Sequence, residues 1–253
     1  MDDGSQSLKT VRRAFEVLDL LLELEGARAS ELAAYMDLPN STVYDYLQSL
    51  VETQYVTRED KVYRPSTRFY TVAGKMKHRN RLFQIAKPEM KRLAAETGEL
   101  VGLTVESEGR GIIFHEEEGD QALSLGTYPG AVVPLHTHAT GKVILAYLPE
   151  AETTRIVDDE ELVKRTENTI SDPAALREEL TRVREDGYAV DWDEQVLGMG
   201  MAAVPILVDE RVLGSLGIVS PTGRMKEESY QRELLQKLRE TVDAVTINYR
   251  YRD

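Results

Sequence analysis

The chain contains no cysteine and only one tryptophan among its 253 residues. Without a thiol it can form no disulfide, no thiolate metal site and no cysteine nucleophile. It has no apolar run near the roughly 18 residues that a membrane-spanning helix needs, and residues 1–10 lack the basic and apolar regions of a signal peptide. These absences, together with 42% hydrophobic residues, predict a cytoplasmic globular protein of two modest domains.

Basic residues are also in the minority, since 31 lysines and arginines stand against 44 acidic residues for a net charge of −13. Residues 1–80 hold 11 basic and 12 acidic residues, so the excess of acid lies in the 20 basic and 32 acidic residues that follow. Lysine is scarce, at 10 against 21 arginines. Acid-rich, lysine-poor surfaces stay soluble in high salt, so we expect a halophilic source.

The first 52 residues predict three helices. Residues 8–25 place apolar side chains at helical spacing, and the expected buried stripe is Val11, Ala14, Phe15, Leu18, Leu21 and Leu22. Ser30 is a good N-cap for a short second helix over residues 31–36. Pro39 then breaks the chain, because proline removes a backbone donor and restricts the residue before it. Asn40 is the expected N-cap of the third helix, with Val43 and Leu47 facing inward.

The third helix leaves a polar face outward, and two short strands after it resemble a β-wing. In a helix-turn-helix, the start of the second of its two helices meets base edges in the major groove. Residues 54–57 and 62–64 read as strands around a polar turn at residues 58–61. Hydroxyls and arginines hold phosphates. The predicted DNA-binding residues are Lys9, Arg12, Arg13, Asn40, Ser41, Thr42, Tyr44, Asp45, Gln48, Arg58, Lys61 and Arg64.

Two alternatives stay open for this N-terminal part. A three-helix protein-binding module or a fragment of a larger core would show the same helices. Asp45 counts against DNA binding unless it accepts a hydrogen bond from a cytosine amino group or orients a neighbour. A linker helix follows at residues 67–80, and its apolar stripe either forms a dimer or packs on its own chain.

The remaining residues predict an α+β domain with a mostly antiparallel sheet flanked by helices. The expected strands lie at residues 100–106, 111–116, 122–127, 132–135, 202–208 and 212–219. The expected helices lie at residues 81–97, 139–148, across 150–165, from the Asp172-Pro173 N-cap pair to 185, and at 227–249.

Five segments resemble the IclR family of transcriptional regulators over almost the whole chain. They are LPNSTVYDYLQSL (38–50), VPLHTHATGKVILAYLP (133–149), TENTISDPAALREELTRVREDGYAVDWDE (166–194), AAVPI (202–206) and GIVSPTGRM (217–225). The resemblance implies a winged helix-turn-helix over residues 1–66, a linker helix over 67–80 and a GAF-like effector domain over 81–253. It also implies homodimers or dimers of dimers on double-stranded operator DNA, controlled by a small molecule.

The resemblance also locates an effector pocket in the C-terminal domain. Two residues are added to those carried over by position: Gly141, from the adjoining strand-to-helix turn, and Ser215, which has the same strand parity as Gly217. The expected pocket residues are Leu125, Val133, Ala139, Thr140, Gly141, Asp191, Met199, Met201, Ser215, Gly217 and Val219. The family often has cysteine at the position of Met201 and serines at those of Gly217 and Val219. We therefore expect an effector of the organic, sugar or aromatic acid class, larger and less polar than glyoxylate or pyruvate. A filled core without a ligand is the alternative, since methionine and leucine are ordinary core residues.

Other chemistry finds little support in the sequence. His136 and His138 could bind a metal, but a capped strand-to-helix turn explains their spacing better. No nucleophile–base pair is visible, so we expect no catalytic residues, no metal site and no cofactor. The functions weighed are a ligand-controlled DNA-binding regulator, a metabolic enzyme with an added helical module, and a protein-interaction scaffold; the first is favoured.

Overall fold

The structure, a computed structural model, describes residues 8–159 and 161–251. The chain divides into two compact units with a boundary between Arg79 and Asn80. Within the described residues, no helix is long and apolar enough to cross a membrane. The division into residues 1–66, 67–80 and 81–253 stays a prediction.

The first unit is a helical module with a small antiparallel sheet. The sheet has the strand order β1-β3-β2, and the helices α1, α2 and α3 enclose a core with it. In chain order the elements are α1 (Lys9–Glu23), β1 (Ala27–Arg28), α2 (Ala29–Met36), α3 (Asn40–Glu52), β2 (Val56–Glu59), β3 (Val62–Pro65) and α4 (Arg68–Arg79).

The buried face of α1 differs from the predicted stripe. Val17, Leu18 and Leu21 are the buried residues of this helix, whereas Val11 is 51% and Phe15 is 60% exposed. The predicted burial of Val11 and Phe15, and also of Leu22, was therefore wrong. Apolar residues occur on two faces of α1, and only contacts with α3 and the sheet decide which face is covered.

Two predicted helix caps were also wrong. Ser30 lies inside α2, and the helix start is instead stabilised by Glu31, whose carboxylate accepts a hydrogen bond from the Arg28 N–H at 2.6 Å. Asn40 is the first residue of α3, and the capping residue Pro39 makes no side-chain hydrogen bond. A proline at this point sets the entry angle of the chain by its fixed φ rather than by a hydrogen bond.

The second unit is built on a six-stranded sheet of order β6-β5-β4-β9-β8-β7, in which all neighbouring strands are antiparallel. The strands are β4 (Leu100–Ser107), β5 (Arg110–Glu118), β6 (Val132–Pro134), β7 (Ala189–Trp192), β8 (Met199–Val208) and β9 (Arg211–Pro221). The helices are α5 (Arg81–Thr97), α6 (Ala139–Tyr147), α7 (Glu150–Asp159), α8 (Pro173–Asp186), α9 (Thr222–Met225) and α10 (Glu228–Tyr251).

Strand alternation gives this sheet two covered faces. On β4, Val101 and Leu103 pack with α5 and α10, while Leu100 packs toward α6 and α8. Successive side chains on a strand point to opposite faces, so Gly102 and Thr104 share the face of Leu100. The predicted α+β class and mostly antiparallel sheet are confirmed.

Three local predictions differ from the structure. Residues 122–127 form no strand, because Leu123 and Leu125 pack against the α6 core as an irregular segment. The short edge strand β7 was missed. Of the helical segment expected across residues 150–165, α7 ends at Asp159, residue 160 lies outside the described residues, and residues 161–165 are not helical.

Candidate functional site

The outer face of α3 is polar and accessible. Val43, Leu47 and Leu50 anchor the helix in the core of the first unit, which leaves Tyr44 at 44% exposure on the other side. Of the predicted DNA-contacting residues on this helix, Thr42 is half-buried and the exposed ones are Asn40, Ser41, Tyr44, Asp45 and Gln48. The helix therefore presents hydroxyl, amide and phenol groups, the donors and acceptors that can meet base edges.

The strands β2 and β3, which follow α3 along the chain, form a hairpin. Its turn is Asp60-Lys61, and both residues have positive φ values of 46° and 70°, as a type I′ turn requires. The turn is narrower than predicted, because Arg58 already belongs to β2, where its guanidinium lies 5.4 Å from the centre of the Tyr63 ring. Arg58 and Lys61 are exposed, as wing cations that meet phosphate need to be.

The third wing cation, Arg64, packs closely against a glycine. Arg64 lies on β3, and a Cβ atom at Gly26 would fall 2.7 Å from its Cγ atom. On α1, Lys9 is exposed, Arg13 is half-buried, and Arg12 forms an ion pair with Glu16 at 3.4 Å.

The second unit contains a cavity of about 60 Å³ on the sheet face that α6 covers. We call it the sheet cavity. The residues that line it are Leu100, Gly102, Thr104, Ile113, Glu116, Leu125, Thr127, Val133, His138, Thr140, Gln195, Val196, Met199, Met201, Gly217 and Val219.

Two glycines on neighbouring strands shape the floor of the sheet cavity. Gly102 on β4 and Gly217 on β9 are directly paired. A Cβ atom at Gly102 would meet nothing within 4 Å, whereas one at Gly217 would lie 2.5 Å from the Thr140 Cγ2 atom. Gly102 therefore leaves open space, and Gly217 lets the first turn of α6 approach the sheet.

Hydrogen bonds fix this first turn of α6 over the sheet. The Thr104 hydroxyl donates to the Thr140 hydroxyl at 3.1 Å, and the Ser215 hydroxyl donates to the Thr140 carbonyl at 2.9 Å. At the rim, the Thr127 hydroxyl donates to the Glu116 carboxylate at 2.6 Å. The polar groups named here that line the cavity, Thr104, Glu116, Thr127 and Thr140, therefore come from two strands, a loop and a helix start.

Comparisons with known proteins bear on both units. The family model described as "IclR helix-turn-helix domain" matches residues 10–60, and the model "Bacterial transcriptional regulator IclR C-terminal" matches residues 74–247. The chain belongs to the IclR family of transcriptional regulators. The predicted regulator, rather than an enzyme, is thereby confirmed: IclR proteins bind DNA through a helix-turn-helix and a small molecule through the C-terminal domain.

Several IclR relatives align over nearly the full chain. The probable regulator ArcR of Halobacterium salinarum is 27% identical over 245 residues, which cover 95% of this chain and 93% of that one. The solved IclR of Thermotoga maritima has a TM-score of 0.77 and 29% identity, covering 97% of this chain and 100% of that one. An IclR homologue of Microbacterium hydrocarbonoxydans, solved with 4-hydroxybenzoate, shares the fold with a TM-score of 0.76 at 23% identity, over 89% of this chain and 92% of that one.

The pocket residues expected from the IclR resemblance fall into two groups. Those that line the sheet cavity are Leu125, Val133, Thr140, Met199, Met201, Gly217 and Val219. The other four are not among its lining residues. Ser215 is bonded to the α6 turn, and Gly141 packs so tightly that a Cβ atom there would lie 2.1 Å from the Leu135 carbonyl oxygen.

The remaining two expected pocket residues, Asp191 and Ala139, are hydrogen-bonded to each other and do not line the cavity. The Ala139 N–H, at the start of α6, donates to Asp191 Oδ2 at 2.6 Å. Asp191 Oδ1 is buried without a hydrogen-bond partner among the described residues. Burial, and secondly the nearby carboxylate of Glu194, raise the pKa of Asp191 to about 7.

A buried ion pair lies in the same region. The Lys142 ammonium, fully buried, pairs with Glu194 Oε1. Burial raises the pKa of Glu194 despite the opposing effect of Lys142. The carboxyl groups of Asp191 and Glu194 and the ammonium of Lys142 thus lie buried near the first turn of α6.

His138 lines the sheet cavity and is 2% exposed. Its Nδ1 atom lies 3.2 Å from the Thr137 hydroxyl, and its Nε2 atom has no hydrogen-bond partner among the described residues. Burial lowers the pKa of His138 to about 3, and the charge of Lys142 contributes next. The side chain is therefore a neutral imidazole near neutral pH.

Sequence reasoning missed part of the lining. Gly102 and Thr104 share strand parity with Leu100, a signal that was readable, but Glu116 and Gln195 enter the cavity only through strand register and loop path. His138 was considered as a metal ligand; within the described ranges, no group of three or more histidine, aspartate or glutamate side chains is placed to hold a metal ion.

Proposed function

We propose that this IclR regulator reads operator DNA with the exposed face of α3, holds phosphates with the wing, and is controlled by a small molecule in the sheet cavity. The observation that carries the DNA part is the division of α3 into a buried apolar side and an exposed polar side with Tyr44 and Gln48. A helix buried on one side and polar on the other suits insertion into a major groove.

The sheet cavity is the proposed effector site because it combines apolar walls with a few convergent polar groups. Leu100, Ile113 and Met199 supply apolar surface, which supports an effector less polar than pyruvate; the larger size stays a prediction. The expected acid class gains support from the 4-hydroxybenzoate bound by the Microbacterium homologue. The polar groups of the cavity, by contrast, favour an uncharged head group over a carboxylate.

We also propose a cytoplasmic homodimer or dimer of dimers. Its support is apolar surface left exposed in the first unit: Phe15 on α1 is 60% exposed, and Tyr70 and Met76 on α4 are 84% and 70% exposed. Large apolar side chains left exposed commonly mark an interface when they form a patch. A pair of recognition helices in a dimer would meet half-sites about one helical turn apart.

Footprinting on the DNA upstream of the chain's own gene tests this function. We expect sequence-specific protection in segments separated by about 10 base pairs. The Tyr44→Ala variant should lose the specific pattern, while Tyr35→Ala, which changes an exposed tyrosine on α2, should keep it. Absence of protection by the wild-type chain at every salt concentration would overturn the proposal.

A further inference from the structure

The formal charge of the sheet cavity is negative. Among the described residues that line it there is no lysine or arginine, and Glu116 is the one with a formal charge. His138 is neutral because its pKa is lowered to about 3. The buried Lys142 ammonium is paired with Glu194 and is not among the lining residues. An anion entering this space would meet no cation and would approach a carboxylate.

The start of α6, where an anion would ordinarily bind, already holds a carboxylate. Helix N-termini attract anions through their free N–H groups, but here the Ala139 N–H donates to Asp191 at 2.6 Å. A ligand carboxylate at this point would have to displace a side chain that is fully buried or share the space with it. Displacement would break this hydrogen bond and leave the buried Asp191 carboxyl group without its partner, which costs free energy.

The hydrogen-bond network defines the proton position on His138. The Thr137 hydroxyl donates its one proton to the Pro134 carbonyl at 2.9 Å. Its oxygen can therefore only accept from the His138 ring at 3.2 Å, so Nδ1 carries the imidazole proton. In a neutral imidazole the other nitrogen is then an acceptor. Nε2, which is itself buried and has no partner among the described residues, is consequently a buried acceptor on a side chain that lines the cavity.

We propose that the effector is an uncharged molecule with an apolar body and hydroxyl groups, a phenol or an alcohol, that donates hydrogen bonds to His138 Nε2 and to the Glu116 carboxylate. The inference rests on the proposed function, since it assumes that the sheet cavity is the effector site. A hydroxyl matches both acceptors. An ammonium group is less suited, because Glu116 is the one charged lining residue that could pair with it, its three donors need three acceptors, and burying a charge without full pairing is costly.

Calorimetry on the full chain with matched compounds tests the head group. The pairs are 4-hydroxybenzyl alcohol against 4-hydroxybenzoate, and benzyl alcohol against benzoate, with 4-hydroxybenzylamine as a third arm. We expect each alcohol to bind at least tenfold more tightly than its carboxylate. A carboxylate or the amine that binds as tightly as the alcohol overturns the proposal, and so does the absence of binding by every compound at millimolar concentration.

Variants of His138 test the assigned acceptor. His138→Leu should lower the affinity for 4-hydroxybenzyl alcohol roughly three- to tenfold, the effect of one lost hydrogen bond. It should have little effect on the affinity for 4-hydroxybenzoate. His138→Gln, which retains an acceptor, should recover part of the loss, and His78→Gln on α4 is the control. Equal weakening of both compounds by His138→Leu would contradict the role. The comparison in the wild-type chain stands even if a variant folds poorly.

Operator protection measured on the same protein distinguishes failure of the head-group inference from failure of the proposed function. Intact protection together with a preference for carboxylates would remove the head-group inference and leave the regulator function. Loss of all sequence-specific protection would remove the proposed function itself.

Discussion

The Ala139 N–H donates to Asp191 Oδ2 at 2.6 Å across 52 positions of the sequence. This bond joins the edge strand β7 to the first turn of α6, and that turn also supplies Thr140 to the sheet cavity. A carboxylate at a helix N-terminus interacts favourably with the helix dipole. The chain thus places its own Asp191 carboxyl group at the position where an anionic ligand would bind.

The Asp191 carboxyl makes stability depend on pH. Its pKa lies at about 7 in the folded chain, against 3.8 unperturbed. Between these values the folded state holds a proton that the unfolded state has released, so the stability contributed by this group is full below pH 3.8 and is lost as pH rises through 7. The difference corresponds to about 4 kcal/mol. The free energy of unfolding of Asp191→Asn, measured with urea, should therefore rise relative to that of wild type as the pH increases from 4 to 8.

The control for that measurement is Asp158→Asn, which alters an exposed ion pair with Arg177. Exposed pairs contribute only about 0–1 kcal/mol, so its stability difference from wild type should change little over the same pH range. A pH-independent difference for Asp191→Asn would show that Asp191 is not the titrating group.

The effects of replacing Lys142 and Glu194, which form a buried ion pair, should not be additive. Lys142→Met leaves Glu194 buried beside Asp191 without a counter-charge, so we expect a loss of about 3–5 kcal/mol in the free energy of unfolding. The double variant Lys142→Met/Glu194→Leu removes both charges and should be more stable than the single variant. A double-mutant cycle by chemical denaturation measures the coupling, and simple additivity of the two losses would argue against a direct pair.

The paired glycines Gly102 and Gly217 should respond differently to the same change. Gly102→Ala adds a methyl group to open space, so we expect unchanged or slightly raised stability, by up to about 1 kcal/mol. Gly217→Ala would drive a methyl group to 2.5 Å from Thr140 Cγ2, and should cost about 1–3 kcal/mol. Thermal unfolding of the two variants checks this, and equal losses would contradict the assigned floor of the cavity.

The recognition helix and the wing should differ in how they contribute to DNA binding. Tyr44→Ala should lower the preference for the operator by about 1–3 kcal/mol if its phenol contacts a base. Lys61→Ala, at the tip of the wing, should lower the affinity for all DNA sequences alike. It should also reduce the slope of log affinity against log salt concentration by about one unit. Binding isotherms on specific and random DNA at several salt concentrations separate these effects. A loss of specificity by Lys61→Ala alone would reverse the assignment.

Much of the fold was readable from periodicity, because long elements carry repeated signals. The stripe of Val43, Leu47 and Leu50 on α3 and the Asp172-Pro173 start of α8 both appear in the structure. The short strand β7 has four residues, too few for a clear alternation. Residues 122–127 alternate in hydrophobicity, yet their apolar side chains pack without strand pairing, which only tertiary contacts decide.

The candidate site was less predictable because its parts meet through long-range register. Gly102 and Gly217 look like ordinary strand glycines until the pairing of β4 with β9 places them side by side. Asp191 was expected as a ligand anchor, but its bond to Ala139 depends on the position of an edge strand relative to α6. The acceptor role of His138 follows from the Thr137 bond to Pro134, which no spacing in the sequence reveals.

The acidic composition leaves a halophilic source as a prediction. Stability measured against salt up to about 1 M would test it.

The Gly102→Val variant, which fills the open space beside that glycine, tests whether a ligand in the sheet cavity controls operator binding. Operator affinity should be measured for wild type and Gly102→Val with increasing 4-hydroxybenzyl alcohol. We predict a change of about 5- to 150-fold in wild-type affinity, typical of coupled sites, and none in Gly102→Val, whose affinity without ligand stays normal. An equal response from both chains, or no response from a wild-type chain saturated with the alcohol, would contradict the account.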